Sequence, residues 1–274
     1  MPPSDGVGTG SAGAAAAADV SVSRSGHVAI IEISRPPNNF FDVGLIETLA
    51  GQFEALDADP EVRALVLASD GRHFCAGANF SSSDDARARA QRSVADGSPL
   101  YAAGVRLFGC SKPVVGAIQG AAVGGGLGLA LVPDFRVATP ESRFAANFVK
   151  LGFHPGFGLT LTLPHLIGMQ NASLMMLTGR RIDGQTALEW GLADQCVPGD
   201  RLRSAAVEFA KEIADNAPLA VVSVRRTLRL GLADAIKSRT DHEFAEQHRL
   251  QRTEDHREGV RAVAERRPAR FVGH

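Results

Sequence analysis

Cysteine is scarce and unpaired in this chain: Cys75, Cys110 and Cys196 stand far apart and form no Cys-x-x-Cys pair. An odd, scattered set excludes a disulfide framework and points to core thiols in a reducing, cytoplasmic compartment. Charge of one sign is not in excess either, with 29 Lys and Arg against 30 Asp and Glu and a formal net charge of -1. With the two signs interspersed, nothing suggests nucleic acid or a membrane surface as partner; small molecules or copies of the chain itself are expected. No apolar run approaches the ~20 residues of a membrane span. A Gly-x-Ser-x-Gly elbow, a P-loop and a dinucleotide fingerprint are all missing, and no metal-ligand set stands out. His242-Glu243 opens like a zinc-protease helix, but Glu246 stands where the second histidine should be.

What is present can fill one large domain, or one domain with a helical appendage: 274 residues, 45% of them hydrophobic. The first 20 residues are rich in Ala, Gly and Ser, with no basic start and an apolar run, Ala14 to Ala18, too short for a secretion signal; they read as a disordered tail. His27 to Arg35 is rich in β-branched residues and ends at Pro36-Pro37-Asn38-Asn39, which predicts a strand and turn. From Val43, Ile46, Leu49, Phe53 and Leu56 recur at helical spacing, and Ala64 to Ala68 reads as a second strand. Strand, helix and strand in that order imply parallel pairing through a right-handed crossover, hence an α/β core. A further strand is expected within Val132 to Thr139. Helices are expected over Leu159 to Ile167, Leu174 to Thr178, Asp183 to Trp190, Arg201 to Asp215, Pro218 to Leu230 and a long charged segment, Ala233 to Arg267, where Glu258/Arg261 and Arg261/Glu265 have pairing distance. There is no internal repeat.

Two loops of small residues carry the chemistry. In the first, the apolar run Val114 to Ile118 leads through Gln119 and Gly120 into Gly124-Gly125-Gly126, and an apolar helix-like segment follows. At such a helix start the first N–H groups lack intrahelical partners and the macrodipole is positive, so an oxygen gaining negative charge is stabilised. The second loop, Ser69 to Phe80, begins where the second strand ends, where open parallel sheets gather ligands. Ser81 to Gly97 is polar, either a solvated helix or a mobile cover over that site.

With these loops the chain resembles the crotonase superfamily, the enoyl-CoA hydratase/isomerase family, from about Val28 to Phe271. The resemblance is carried by Arg35-Pro36 with Asn38-Asn39, Phe74-Cys75-Ala76-Gly77-Ala78, Lys112-Pro113 through Gly124-Gly125-Gly126, Pro133-Asp134, Thr178 through Ile182 with Ala187 and Gly191-Leu192, and Glu265 through Pro268 with Phe271. It implies a crotonase-like spiral of ββα turns over residues 21–200. It also implies a C-terminal helical region over 201–274 that forms homotrimers, often paired as hexamers. The substrate it implies is an acyl-coenzyme A thioester, with no permanently bound cofactor. On matching positions the N–H groups of Ala78 and Gly125 would form an oxyanion hole that stabilises a thioester enolate, each donor being worth about 3 kcal/mol. Phe74, Ala76, Ala78, Asn79 and Phe80 would line the coenzyme A end. Arg266, Arg267 or Arg270 would either reach its phosphates or form an ordinary solvated terminus.

The chain departs from the family where hydratases carry two glutamates: these positions hold Gly128 and Phe148, neither of which can carry a proton. That argues against standard water addition and leaves an altered lyase or isomerase as the expected enzyme. His154 is the candidate acid/base, with a hydrogen-bonded structural histidine as the alternative. Two other readings stay open. One is a catalytically degenerate acyl-CoA binder; the other is a carbon–carbon hydrolase of a diketone, although Phe148 and Phe157 occupy the places of the His/Asp pair that hydrolases use. Cys75 reads as a packed thiol.

Overall fold

The computed structural model describes residues 19–78 and 94–274. Most of the tail, Asn79, Phe80 and residues 81–93 of the expected cover lie outside the described residues. The tail ends sooner than expected, because Val20 already opens a strand. β1 (Val20–Ser25) turns at Gly26-His27 and pairs antiparallel with β2 (Val28–Ile33), Val20 opposite Ile33. β1 escapes the sequence pattern because three of its six residues are serines and it lies at a sheet edge, where one side needs little apolar surface.

After β2, Asp42 caps α1 (Val43–Ala58) by accepting the Leu45 N–H at 2.8 Å, and Leu45, Ile46, Leu49, Phe53 and Leu56 form its buried stripe. The chain then returns as β3 (Ala64–Ser69), parallel to β2. β4 (Val114–Ile118), β6 (Phe135–Ala138) and β9 (Gln195–Cys196) extend the sheet in the order β1-β2-β3-β4-β6-β9, parallel throughout except at β1. Alternate residues of β3 serve two cores, as the pleat requires. Leu65 and Leu67 join the cluster that includes α1, while Ala64, Val66 and Ala68 join Val115, Val137 and the alanines of a later helix, Ala205, Ala206 and Ala210. Both faces of the sheet are therefore dry, which explains why its strands read as continuous apolar runs.

A second, three-stranded sheet was not legible in the sequence. β5 (Ala121–Val123) pairs parallel with β7 (Arg143–Ala145), which pairs antiparallel with β8 (Arg181–Asp183). β5 lies inside the stretch expected to be only a turn. Three residues are too few to show a period, and pairing with distant partners sets their conformation. Two helices that matter below are α2 (Pro99–Phe108) and the short α3 (Gly125–Ala130).

The helices expected at Leu159 to Ile167 and Leu174 to Thr178 are one element, α4 (Leu159–Thr178), kinked at Gly168. After α5 (Gly184–Glu189), the C-terminal region comprises α6 (Leu202–Ala214), α7 (Pro218–Leu228), α8 (Leu232–Leu250) and α9 (Glu254–Ala264). The single helix expected over Ala233 to Arg267 is thus broken, and Thr253 starts its second half by accepting the His256 N–H at 3.1 Å. Glu258 pairs not with Arg261 but with Arg267 beyond the helix end. α7 is tied to the sheet by Asp134, whose two oxygens accept from Arg225 at 2.8 Å and from Arg229 at 2.7 Å.

Candidate functional site

The two small-residue loops meet. Cys75 N–H donates to Ala121 O at 2.9 Å and Val123 N–H to Cys75 O at 3.1 Å, so Cys75 bridges to β5 opposite Ala122. On the other flank Phe41 N–H donates to Gly77 O at 3.1 Å. Gly124 then turns the chain with φ +57°, a conformation that favours glycine. Its carbonyl takes the N–H groups of Leu127 at 3.0 Å and Gly128 at 3.2 Å, leaving those of Gly125 and Gly126 ahead of the first helical bond of α3. A Cβ on Gly77 would stand 3.5 Å from Gly125 N, and one on Gly126 3.0 Å from Gly77 N, so the main chain at Gly77 passes close to the glycine turn. A Cβ on Gly125 would enter the ring of Phe41, which covers this turn.

Beside the turn lies a cavity of about 390 Å³ that both Ala78 and Gly125 line. Its walls are rich in aromatics: Phe41 and Phe148 near the glycines, with Phe157, Tyr101, Phe153 and Phe244 also lining it. Phe157 makes a tilted ring contact with Phe41 at 5.7 Å and an edge contact with Tyr101 at 6.4 Å. Polar groups on the wall are few and mostly tied into the frame. Burial acts to raise the Asp42 carboxyl, but its bonds from Arg35 and the Leu45 amide outweigh that and hold it below the ordinary carboxylate range. Tyr101 donates to Gln247 Oε1 at 2.6 Å, and Gln247 Nε2 donates to His154 O at 2.9 Å. Asn147 lies at the mouth of the turn, its Oδ1 3.7 Å from where a Gly124 Cβ would stand.

The structure sorts the sequence candidates. Ala76, Ala78 and Gly125 line the cavity, and Asn79 and Phe80 lie outside the described residues. Phe74 does not line it: its ring is fully buried in the main core, a correction to its expected contact with coenzyme A. His154 is not on the cavity wall either. Its Nδ1 bonds to Pro155 O at 2.7 Å and its ring packs edge-on against His242 at 6.1 Å, because the turn at Pro155 directs the side chain away while its carbonyl meets Gln247. Gly128 lies under Phe157, and Phe148 is on the wall. Arg267 is held by Glu258 and Glu265. Burial pushes the Cys75 thiol up to about 12, so it is no nucleophile at neutral pH.

Tyr101 and Gln247 were missed by sequence reasoning. They are 146 residues apart, and the only hint was that Tyr101 is the chain's single tyrosine. Glu243 was seen only as part of a failed zinc motif. In the structure it caps α4, accepting from Gly158 N at 2.8 Å, Thr160 N at 3.0 Å and Thr160 Oγ1 at 2.6 Å. Burial pushes its carboxyl above the ordinary range against the pull of those bonds. Among the described residues no group of three His, Cys, Asp or Glu could hold a metal ion, and no helix is long and apolar enough to cross a membrane.

A two-sheet α/β core, C-terminal helices and a glycine turn packed on a small-residue loop beside an apolar cavity define a crotonase-fold protein. The family model described as enoyl-CoA hydratase/isomerase matches residues 23–274, and the chain belongs to that family. Carnitinyl-CoA dehydratase of Proteus mirabilis is 34% identical over 254 residues, covering 90% of this chain and 96% of that protein. The protein of the same name from Salmonella enteritidis is 31% identical, covering 92% and 97%. Among solved structures, an enoyl-CoA hydratase/isomerase from Pseudoalteromonas atlantica superimposes with a TM-score of 0.82 at 27% identity, covering 93% of this chain and all of that one.

Proposed function

We propose that the chain is an acyl-CoA lyase or isomerase that binds a thioester with its carbonyl oxygen on the N–H groups of Ala78 and Gly125. There they stabilise the negative charge that develops on that oxygen as the thioester is polarised. The observation that supports this reading is the close approach of the two loops, with Ala78 and Gly125 both on the wall of one largely apolar cavity. In such a dry setting a hydrogen bond to a developing oxyanion is worth about 3 kcal/mol per donor. The lyase relatives, whose names specify a coenzyme A thioester, support the substrate class. Gly128 beneath Phe157 and Phe148 on the wall supply no carboxylate, which argues against water addition by paired carboxylates, and the dry wall suits an apolar acyl group. Coenzyme A enters with the substrate, no resident cofactor is required, and a cytoplasmic setting fits the free cysteines.

A second reading, an acyl-CoA binder without turnover, is favoured by one observation: the carboxylate on the described wall, Asp42, is committed to Arg35 and to capping α1. Calorimetric titration with acetoacetyl-CoA, beside a crotonyl-CoA hydration assay and a turnover screen over acyl-CoAs, tests both. Binding with turnover but no hydration supports the enzyme, and binding alone supports the second reading. No binding overturns both and returns weight to a diketone hydrolase.

For assembly we infer a homotrimer, alone or paired as a hexamer, built through the C-terminal helices. α7 and the residues after it leave Leu219, Val224, Leu228 and Leu230 exposed, apolar surface that another copy would cover.

A further inference from the structure

We infer that Phe157 is the residue that fixes the depth of the acyl subsite, a plug that restricts the chain to short acyl thioesters; this rests on the acyl-CoA reading above. Phe157 borders the cavity yet is only 2% exposed, so nearly all of its ring is sunk in the protein behind the wall. Two glycines make room for it. A Cβ on Gly104 of α2 would stand 3.0 Å from Cε2 and Cζ of the ring, and one on Gly128 of α3 would stand 2.8 Å from its Cβ and 3.0 Å from Cδ1. The ring therefore fills the gap between these two helices, and its removal would join that gap to the cavity.

Its backbone is held for the purpose. Phe157 has φ +62°, a left-handed conformation unfavourable for a bulky side chain. The next residues are pinned by Glu243, which accepts from Gly158 and Thr160. The preceding one, Gly156, lies against the Tyr101 hydroxyl and the Gln247 amide, where a Cβ would stand 2.5 Å from Nε2. Strain at a residue facing a ligand cavity, secured from both sides, marks a position where orientation matters. The path from the thioester site to the plug is short, since Phe41 covers Gly125 and touches Phe157 with ring centroids 5.7 Å apart. A chain entering at Gly125 thus meets Phe157 one ring beyond Phe41.

The test is titration calorimetry of the full-length protein with butyryl-, hexanoyl-, octanoyl- and decanoyl-CoA. The comparison is wild type against Phe157→Leu, Phe157→Ala and Gly104→Ala, with thermal melts alongside. Wild type is expected to bind butyryl-CoA at least about 10-fold more tightly than octanoyl-CoA. Phe157→Leu and Phe157→Ala should lower that ratio by about 10-fold or more, and Gly104→Ala, which pushes the ring into the cavity, should raise it. The ratio of two ligands on one protein is unmoved by general destabilisation, and the leucine variant covers the case in which alanine fails to fold. Equal affinity of wild type for all four lengths, or an unchanged ratio in Phe157→Leu, overturns the plug while leaving the thioester site standing. No binding of any thioester overturns the site itself and the plug with it.

Discussion

Gly128 and Phe157 are a matched pair: a Cβ at position 128 would lie 2.8 Å from the Cβ of Phe157, closer than real side chains approach. The absence of a carboxylate at 128 is therefore not a single vacancy that one substitution can fill. Gly128→Glu alone should destabilise the protein by about 1–3 kcal/mol through overpacking and gain no hydratase activity. Combining it with Phe157→Gly, which removes the ring and relaxes the left-handed backbone, should recover part of the loss. A double-mutant cycle in urea would read this as a coupling of about 1 kcal/mol or more, whereas simple additivity would show that the two sites are independent.

His154 hydrogen-bonds its own turn and stays off the cavity wall. His154→Ala is expected to leave acyl-CoA affinity, and any turnover, within about threefold of wild type, well under the 1.4 kcal/mol of a tenfold effect. A drop of about 100-fold in kcat with unchanged melting would restore the histidine to the reaction.

Glu243 gives a pH signature. Its folded-state pKa is raised by burial, so between the unfolded value near 4.5 and the higher folded value the native state holds the extra proton. Its contribution to stability therefore declines as pH rises through that window and is constant beyond it. Glu243→Gln cannot accept from Gly158 and Thr160 on both sides at once, and should cost about 1–3 kcal/mol near neutral pH. The difference between wild type and variant in urea midpoint should be largest near pH 4.5 and shrink on raising the pH. A difference that grows with pH would mean that the carboxylate is favoured by its setting.

Val224 and Leu228, four residues apart and so on one face of α7, are 59% and 81% exposed. If this face is covered by another copy, Val224→Asp with Leu228→Asp should lower the mass seen by analytical ultracentrifugation from trimer or hexamer to monomer. A wild-type chain that sediments as a monomer at micromolar concentration would exclude the assembly outright.

The central strands β2, β3, β4 and β6 were legible because they are largely buried and read as short apolar runs, and α1 because its stripe keeps strict spacing up to Asp59. β5 and β8 were not, since three residues carry no period and distant partners make them strands. The break at Thr253 was hidden by charged residues continuing on both sides of it; only the cap itself marks it. At the candidate site the glycine turn showed in sequence because close approach of main chains demands glycine, and Gly125 and Gly126 stand together. The wall did not, for the reverse reason: Phe41, Tyr101, Phe157 and Gln247 come from four remote segments, and nothing local says that they share a cavity. His154 misled because sequence proximity to the acyl region fixes the backbone path and not the direction of a side chain leaving a proline turn.

The proposed pair of N–H groups at Ala78 and Gly125 lies on main chain fixed by hydrogen bonds that run from Phe41 through Gly77 and Cys75 to Ala121 and Val123. Main-chain amides are supplied by every residue except proline, so ordinary exchange of side chains around the cavity leaves that frame intact. Under the proposed function, such a frame would keep its hold on a carbonyl while the side chains around it change. The aromatic wall of this chain can be regarded as one interchangeable lining on a durable main-chain scaffold.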